Sequence, residues 1–402
     1  MPVTIDAIQF NHQANSITND AINIRKNFST PARFPEWQKV VCNLPEDSLA
    51  AYCIKETQGN DLTIKASFSM HHMKDSHLQI RAIDPNKNPP GGSGCIAFIV
   101  RFLYILFNAI SGNVLGEVKK RNVPVVNGST GFLSFKLKHT LIGKTGVGVH
   151  TTVWRWQYKH NGGPWHDIAT TQHRIYVLLE APKSPWNLTA DSPQNPWTDV
   201  LDYSCNWAML THTRDDAASK ITDNVFALGP SILIYDCPGG GGTHYTDYST
   251  TFYCTQFVDR LKGGLGNGQY LNCTDCATIT CSFSNIIGCD LWASKMGYGF
   301  NLNAINAIGY NNWISCGWGG FSYHEVAWKD NCTEADAIFD ACLQVDGDAD
   351  PSTAPHTPLL PENMVFGTCV SNEYRWRLSP PNAGGCQNCA PQPTTRIRRI
   401  IA

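Results

Sequence analysis

The residues best equipped for chemistry lie in one stretch, YLNCTDCATITCSFSNIIGC, residues 270–289, which places Cys273, Cys276, Cys281 and Cys289 within twenty positions. Thiolates act as nucleophiles, as soft metal ligands and as disulfide partners, so spacing must decide among the three. Asn272 is a good helix N-cap, Asp275 stands at the third helical position, and Gly288 can end the helix. Cys276, Ile279, Phe283, Ile286 and Ile287 recur every three or four residues and form an apolar stripe. Cys273 then occupies the first turn, where the positive end of the macrodipole favours thiolate. Its backbone N–H can also face a developing oxyanion. Cys276 and Cys281, further along the helix, read as small hydrophobes.

A nucleophilic thiol needs a base, and the base needs a group that orients it. Both occur in FSYHEVAWKDNCTEADAIFDACLQVDGD, residues 321–348. His324, Val326 and Trp328 share one face of a predicted strand, and Ile338, Asp340 and Cys342 share one face of the next. A hairpin centred near Cys332 pairs 324 with 340 and 326 with 338, which brings a carboxylate within reach of an imidazole. The candidate triad is Cys273, His324 and Asp340.

NCTDCATITCSFSNIIGC, followed by YHEVAW and IFDACLQVD, resembles the transglutaminase-like superfamily among the papain-type cysteine enzymes. The resemblance spans about residues 195–350, and the β-rich half before it is similar to a bacterial branch with an N-terminal β-sandwich. It implies a nucleophile at Cys273, with Cys276 where the family often has an aromatic residue, a base at His324 and an orienting acid at Asp340. The proline that follows the helix-ending glycine in the family is absent here, where the chain reads GCDLW. The Asp-Pro step after the second strand is replaced by DAC, which leaves Asp346 as a second candidate for the orienting acid.

Other motifs compete with this reading. C-x-x-C pairs at 273/276 and 386/389 suit a tetrahedral zinc ribbon, although they lie more than a hundred residues apart and the first sits in a predicted helix. A thioredoxin-like use of CTDC is weaker. CPGGGGTHY, residues 237–245, lacks the Gly-Lys-Ser/Thr ending of a phosphate loop and reads as an active-site flank or a plain turn. DGDADP, residues 346–351, lacks the glutamate that a calcium loop requires and reads as a solvated turn.

These side chains must be held by ordered elements. The first half reads as strands, in LTIKASFSM, HLQIRAID, FLSFKLKHTL, VHTTVWRWQYK and HRIYVLLEAP. In TTVWRWQY, Trp154, Trp156 and Tyr158 share one face, expected to point into a core. These runs predict an antiparallel β-sandwich over 1–185. Proline and polar residues then mark a boundary near 185, and helical periodicity follows. Asn195 with Pro196 opens one helix, and residues 215–228 form another. SILIYD reads as a strand, and the tail CQNCAPQPTTRIRRIIA as a loose basic end. The fold class is α+β, with a papain-like domain over 186–402.

At about 100–200 residues per domain, 402 residues hold two or three domains. Charged residues make up 16% and the formal charge is −2, so neither nucleic acid nor an anionic membrane is an expected partner. CIAFIVRFLYILFNAI, residues 95–110, carries Arg101 and is shorter than the roughly 20 residues of a spanning helix, so it reads as paired strands or a core hairpin. The N-terminus has no signal-peptide pattern. Only Cys42, Cys53 and Cys95 of the sixteen cysteines precede residue 200, and buried free thiols are the expectation. The protein is expected to be cytoplasmic, or exported by a signal-independent route that would allow a few disulfides. No cofactor is expected. The expected activity is acyl transfer on protein or peptide amides, as a protease, deamidase or transglutaminase. The alternative is a non-catalytic structural or interaction protein, or the zinc module.

Overall fold

A computed structural model describes residues 3–12, 17–42, 44–70, 75–85, 113–190, 192–313, 315–370 and 372–402. The apolar stretch 95–110 lies outside them. The chain forms two compact units, one of Met1–Ala181 with Leu188–Asn195, the other of Pro182–Asn187 with Pro196–Ala402. No helix among the described residues is long and apolar enough to cross a membrane.

The first unit is built on one nine-stranded sheet. Its strands are β1 (Val3–Gln9), β2 (Trp37–Gln38), β3 (Leu49–Cys53), β4 (Thr63–Met70), β5 (Asp75–Ile83), β6 (Glu117–Val126), β7 (Leu133–Lys138), β8 (Gly148–His160) and β9 (His166–Leu178). They lie in the order β2-β1-β4-β7-β6-β5-β8-β9-β3, antiparallel except where β3 runs parallel to β9. The expected sandwich is therefore replaced by a single sheet that coils toward a barrel. Near its open seam, the Ala21 N–H donates to the Phe10 carbonyl and the Ile22 N–H to the Ala51 carbonyl, linking the end of β1 to β3. A strongly twisted sheet of this width curls on itself, and alternation of inward apolar residues is the same in either architecture.

Trp154 and Trp156 are fully buried, and Phe68 and Phe135 pack edge-on against Trp156. Each indole N–H is satisfied, Trp154 by the Gly116 carbonyl at 2.8 Å and Trp156 by Thr171 Oγ1 at 3.0 Å. Both rings thus fill the interior without an orphaned donor.

The second unit wraps helices and a small sheet around one central helix. Helices α1 (Thr198–Trp207) and α2 (Arg214–Phe226) pack on one side of α4 (Cys273–Asn285), and α3 (Cys254–Leu261) precedes it in the chain. On the other side stands a sheet of order β10 (Trp292–Met296), β11 (His324–Trp328), β12 (Ala337–Phe339) and β13 (Glu362–Val365), all antiparallel. The helix starts shift slightly from the sequence expectation. α1 begins at Thr198 rather than after Asn195, and α2 is capped by the Thr213 hydroxyl, which accepts from the Asp216 N–H.

The tail is not loose. Ile400–Ile401 pairs in parallel with Thr251–Phe252, Ile397 bridges to Ala293, and the Arg399 side chain is buried. Every second residue turns inward, with Arg399 and Ile401 buried and Ile397 half-buried, while Ile400 is exposed, and the arginines find partners inside the unit.

Candidate active site

Every residue of α4 is buried, because other elements cover the polar side of the helix as well as its apolar stripe. Its buried hydroxyls are small, and Thr278 satisfies its own by donating to the Thr274 carbonyl at 2.7 Å. The start is fixed by a reciprocal cap, in which Asn272 Oδ1 accepts from the Asp275 N–H at 3.1 Å and Asp275 Oδ2 accepts from the Asn272 N–H at 3.2 Å. The same carboxylate accepts from the N–H groups of His244 and Tyr245, at 2.8 and 3.0 Å. Burial pushes the Asp275 carboxyl up to about 6, against these backbone bonds. Cys273 thus sits at the first helical position, where its N–H has no intrahelical acceptor.

His324 opens β11, and its Nε2 lies 2.9 Å from Asp340 Oδ2, with both side chains buried. The hairpin register differs from expectation by two residues, since Trp328 faces Ile338 and Ala327 faces Phe339. A slip of two leaves every side chain on its original face, so His324 and Asp340 meet diagonally instead of directly. Asp340 lies just past the end of β12 and is held from three directions. Oδ2 also accepts from the Tyr374 hydroxyl at 2.7 Å, and Oδ1 accepts from the Cys342 N–H at 2.8 Å.

Burial works to lower the His324 pKa, but the negative charge of Asp340, its hydrogen bond and the Cys273 sulfur together raise it to about 10. These interactions favour the imidazolium over the neutral ring. Asp340 occupies Nε2, and among the described residues Nδ1 meets no nitrogen or oxygen partner, which leaves it for the Cys273 sulfur. Asp346, the second candidate, is engaged elsewhere, 2.6 Å from His356 Nδ1. Cys276 and Cys342 lie against each other beneath the site, and burial raises both thiols above their ordinary range.

A cleft of about 160 Å³ opens on Cys273, with Tyr235, Trp318, Phe321 and Tyr323 among its walls and the backbone of Gly240 and Gly241 along one edge. The glycine loop is therefore a flank of this cleft and is tied down. The Asp236 carboxylate accepts from the N–H groups of Gly239 and Gly242, at 2.8 and 3.2 Å, and Asn272 donates to the Gly241 carbonyl at 2.8 Å. Gly241 has φ +82°, and a Cβ there would stand 3.4 Å from the Trp318 ring. A disulfide between Cys237 and Cys316 joins the loop to the segment that carries Trp318.

The four cysteines of the zinc reading are not assembled. Cys386 is bonded to Cys369, and the described residues contain no group of three or more His, Cys, Asp or Glu able to hold a metal ion. Two disulfides and eleven buried thiols account for fifteen of the sixteen, and Cys95 lies outside the described residues.

Tyr374, Trp318 and Tyr235 were not visible as site residues in the sequence. Tyr235 lies in the short predicted strand SILIYD, and Trp318 and Tyr374 lie in segments without a clear period, so only the fold brings them to the cleft or to Asp340.

No protein-family model and no curated protein matches the chain. Among solved structures, red sea bream transglutaminase is similar with a TM-score of 0.39 and 8% identity, over 89% of this chain and 55% of that one. The chain thus spans about half the length of that enzyme. The class 5 fimbriae chaperone CfaA is similar with a TM-score of 0.15 and 10% identity, over 31% of this chain and 53% of that one. At these scores neither likeness bears on the chemistry.

Proposed function

We propose that the second unit is a cysteine-dependent acyl-transfer enzyme of the transglutaminase-like kind, acting on amides of protein or peptide substrates. The observation that carries this reading is the buried 2.9 Å contact of His324 with Asp340, beside a helix whose first residue is Cys273 at the floor of a cleft. In this reading the Cys273 thiolate attacks the amide carbon, and the resulting oxyanion is stabilised by the Cys273 N–H. His324 gives its proton to the leaving nitrogen as the C–N bond breaks, and a thioester remains. Water or an amine then attacks the thioester, His324 takes its proton, and the C–S bond breaks to return the thiolate. Asp340 keeps the ring oriented and charged through the cycle.

The test is to mix the protein with glutamine-containing peptides, quench in acid and weigh the intact chain. An adduct equal to the peptide acyl group, absent from Cys273→Ala, is expected. Turnover of the peptides by the wild type and by Cys273→Ala at the same rate would overturn the assignment.

A further inference from the structure

The Glu325–Arg399 ion pair lies between the two halves of the site, with both side chains about 1–2% exposed. Glu325 follows His324 on β11. Its Oε2 accepts from the hydroxyl of Thr274, the residue after Cys273, at 3.0 Å. Arg399 Nη1 donates to Glu325 Oε1 at 2.7 Å and also to Thr278 Oγ1, one turn further along α4, at 2.7 Å. Arg399 Nη2 reaches Glu325 Oε2 at 3.3 Å. The pair thus contains the chain neighbour of His324, bonds to the chain neighbour of Cys273, and reaches two successive turns of the nucleophile helix. Arg399 is delivered by the tail, whose Ile397 exchanges N–H and carbonyl bonds with Ala293 of β10 at 2.8 and 3.1 Å.

We infer that Arg399 and Glu325 are positioning residues for acyl transfer, clamping the start of α4 to the start of β11 so that the Cys273 sulfur meets His324. This inference rests on the reading of Cys273 and His324 given above. Two effects follow from the arrangement. The clamp fixes the separation of sulfur and imidazole, and Arg399 neutralises a carboxylate that would otherwise lie bare beneath the helix start and oppose a negative sulfur. Desolvation offsets most of the attraction within a buried ion pair, so its role here is assigned to alignment, at a place where a misalignment of about 1 Å can cost about 100-fold in rate.

The titratable groups around Cys273 are His324 from β11, Tyr235 and Tyr323 from the cleft walls, and the thiols Cys276 and Cys342. The carboxylates of Asp340, of Asp275 on α4 and of Glu325 on β11 complete the set. A change at Arg399 removes none of these groups and alters only the charge balance at Glu325 and the alignment of His324, so the rate of Cys273 alkylation by iodoacetamide as a function of pH reads the clamp. Arg399→Met is expected to slow alkylation at pH 7 by about 100-fold and to move the profile to higher pH. Arg399→Lys, which keeps the charge and one donor, is expected to recover most of the rate. Thr274→Val and Thr278→Val leave the ion pair in place and keep the test open should Arg399→Met fail to fold. Each is expected to slow alkylation by about tenfold, within the range set by misalignment. A wild type with reactive Cys273 whose Thr274→Val, Thr278→Val and any folded Arg399→Met variants alkylate at its rate and with its pH profile would overturn the clamp alone. An unreactive Cys273 in the wild type would overturn the acyl-transfer reading beneath it.

Discussion

Replacing Asp340 with asparagine perturbs the site with almost no change of shape. The carboxylate accepts from His324 Nε2, the Tyr374 hydroxyl and the Cys342 N–H. Asparagine can keep the Cys342 bond through its oxygen, but its amino group then faces His324 Nε2 and forces that nitrogen to become an acceptor. The charge is lost as well. Raising the imidazole from 6.5 to about 10 corresponds to about 5 kcal/mol in favour of the imidazolium, and Asp340 is the largest of the raising causes. Without it, burial dominates and the ring titrates below its ordinary value. The wild type at pH 7 is therefore expected to hold an imidazolium beside Cys273, and the variant a neutral ring. Alkylation of Cys273 by iodoacetamide, followed by peptide mapping between pH 5 and pH 11, is expected to fall by about 100-fold or more at pH 7 in Asp340→Asn. Wild-type rates and an unchanged pH profile in that variant would refute the reasoning.

The alkaline limb of stability is a second expectation. The folded His324 pKa is raised above the unfolded value, so its contribution is complete below pH 6.5 and is lost as pH rises through about 10; urea midpoints should drop over that window in the wild type and much less in Asp340→Asn. Asn272→Ala removes the helix cap and the bond to the Gly241 carbonyl, and should cost about 1–2 kcal/mol in urea unfolding while slowing Cys273 alkylation. Replacing Cys237 and Cys316 with serine opens a loop closed across 79 residues and should cost about 4–5 kcal/mol on a chain-entropy basis; a reducing agent should lower the wild-type midpoint and leave the serine pair less affected. Tyr374→Phe takes one hydrogen bond from the Asp340 carboxylate and should cost about 1.5–3 kcal/mol of stability, read from the same urea curves.

The start of α4 is legible in the sequence because the capping signal is local. Asn272 and Asp275 are three residues apart, and both bonds are set by the backbone between them. Alternation likewise reveals the inward face of β8, since Trp154 and Trp156 are too large to be placed anywhere but the interior. Closure of the sheet is a different matter. Sandwich and barrel share the same two-residue period, and the link from Phe10 through Ala21 and Ile22 to Ala51 joins segments with no pattern of their own. β6 escapes notice because EVKKRNVPVV mixes four charges with a proline that strand propensity disfavours. The hairpin register is missed by two residues because the turn between β11 and β12 is irregular, with Asp330 and Cys332 at positive φ. Long-range contacts leave the weakest trace. Nothing near Asp340 announces Tyr374, and nothing near Glu325 announces Arg399, since each pairing depends on chain that returns from far downstream.

The most direct measurement is competitive labelling at pH 7 with less than one equivalent of iodoacetamide, read out by peptide mapping over the eleven buried thiols of the described residues. The account predicts that Cys273 takes the label first, well ahead of Cys276, Cys281 and Cys342, and that His324→Ala removes its lead. Labelling of Cys273 no faster than of those buried thiols, or a lead that persists without His324, would contradict it.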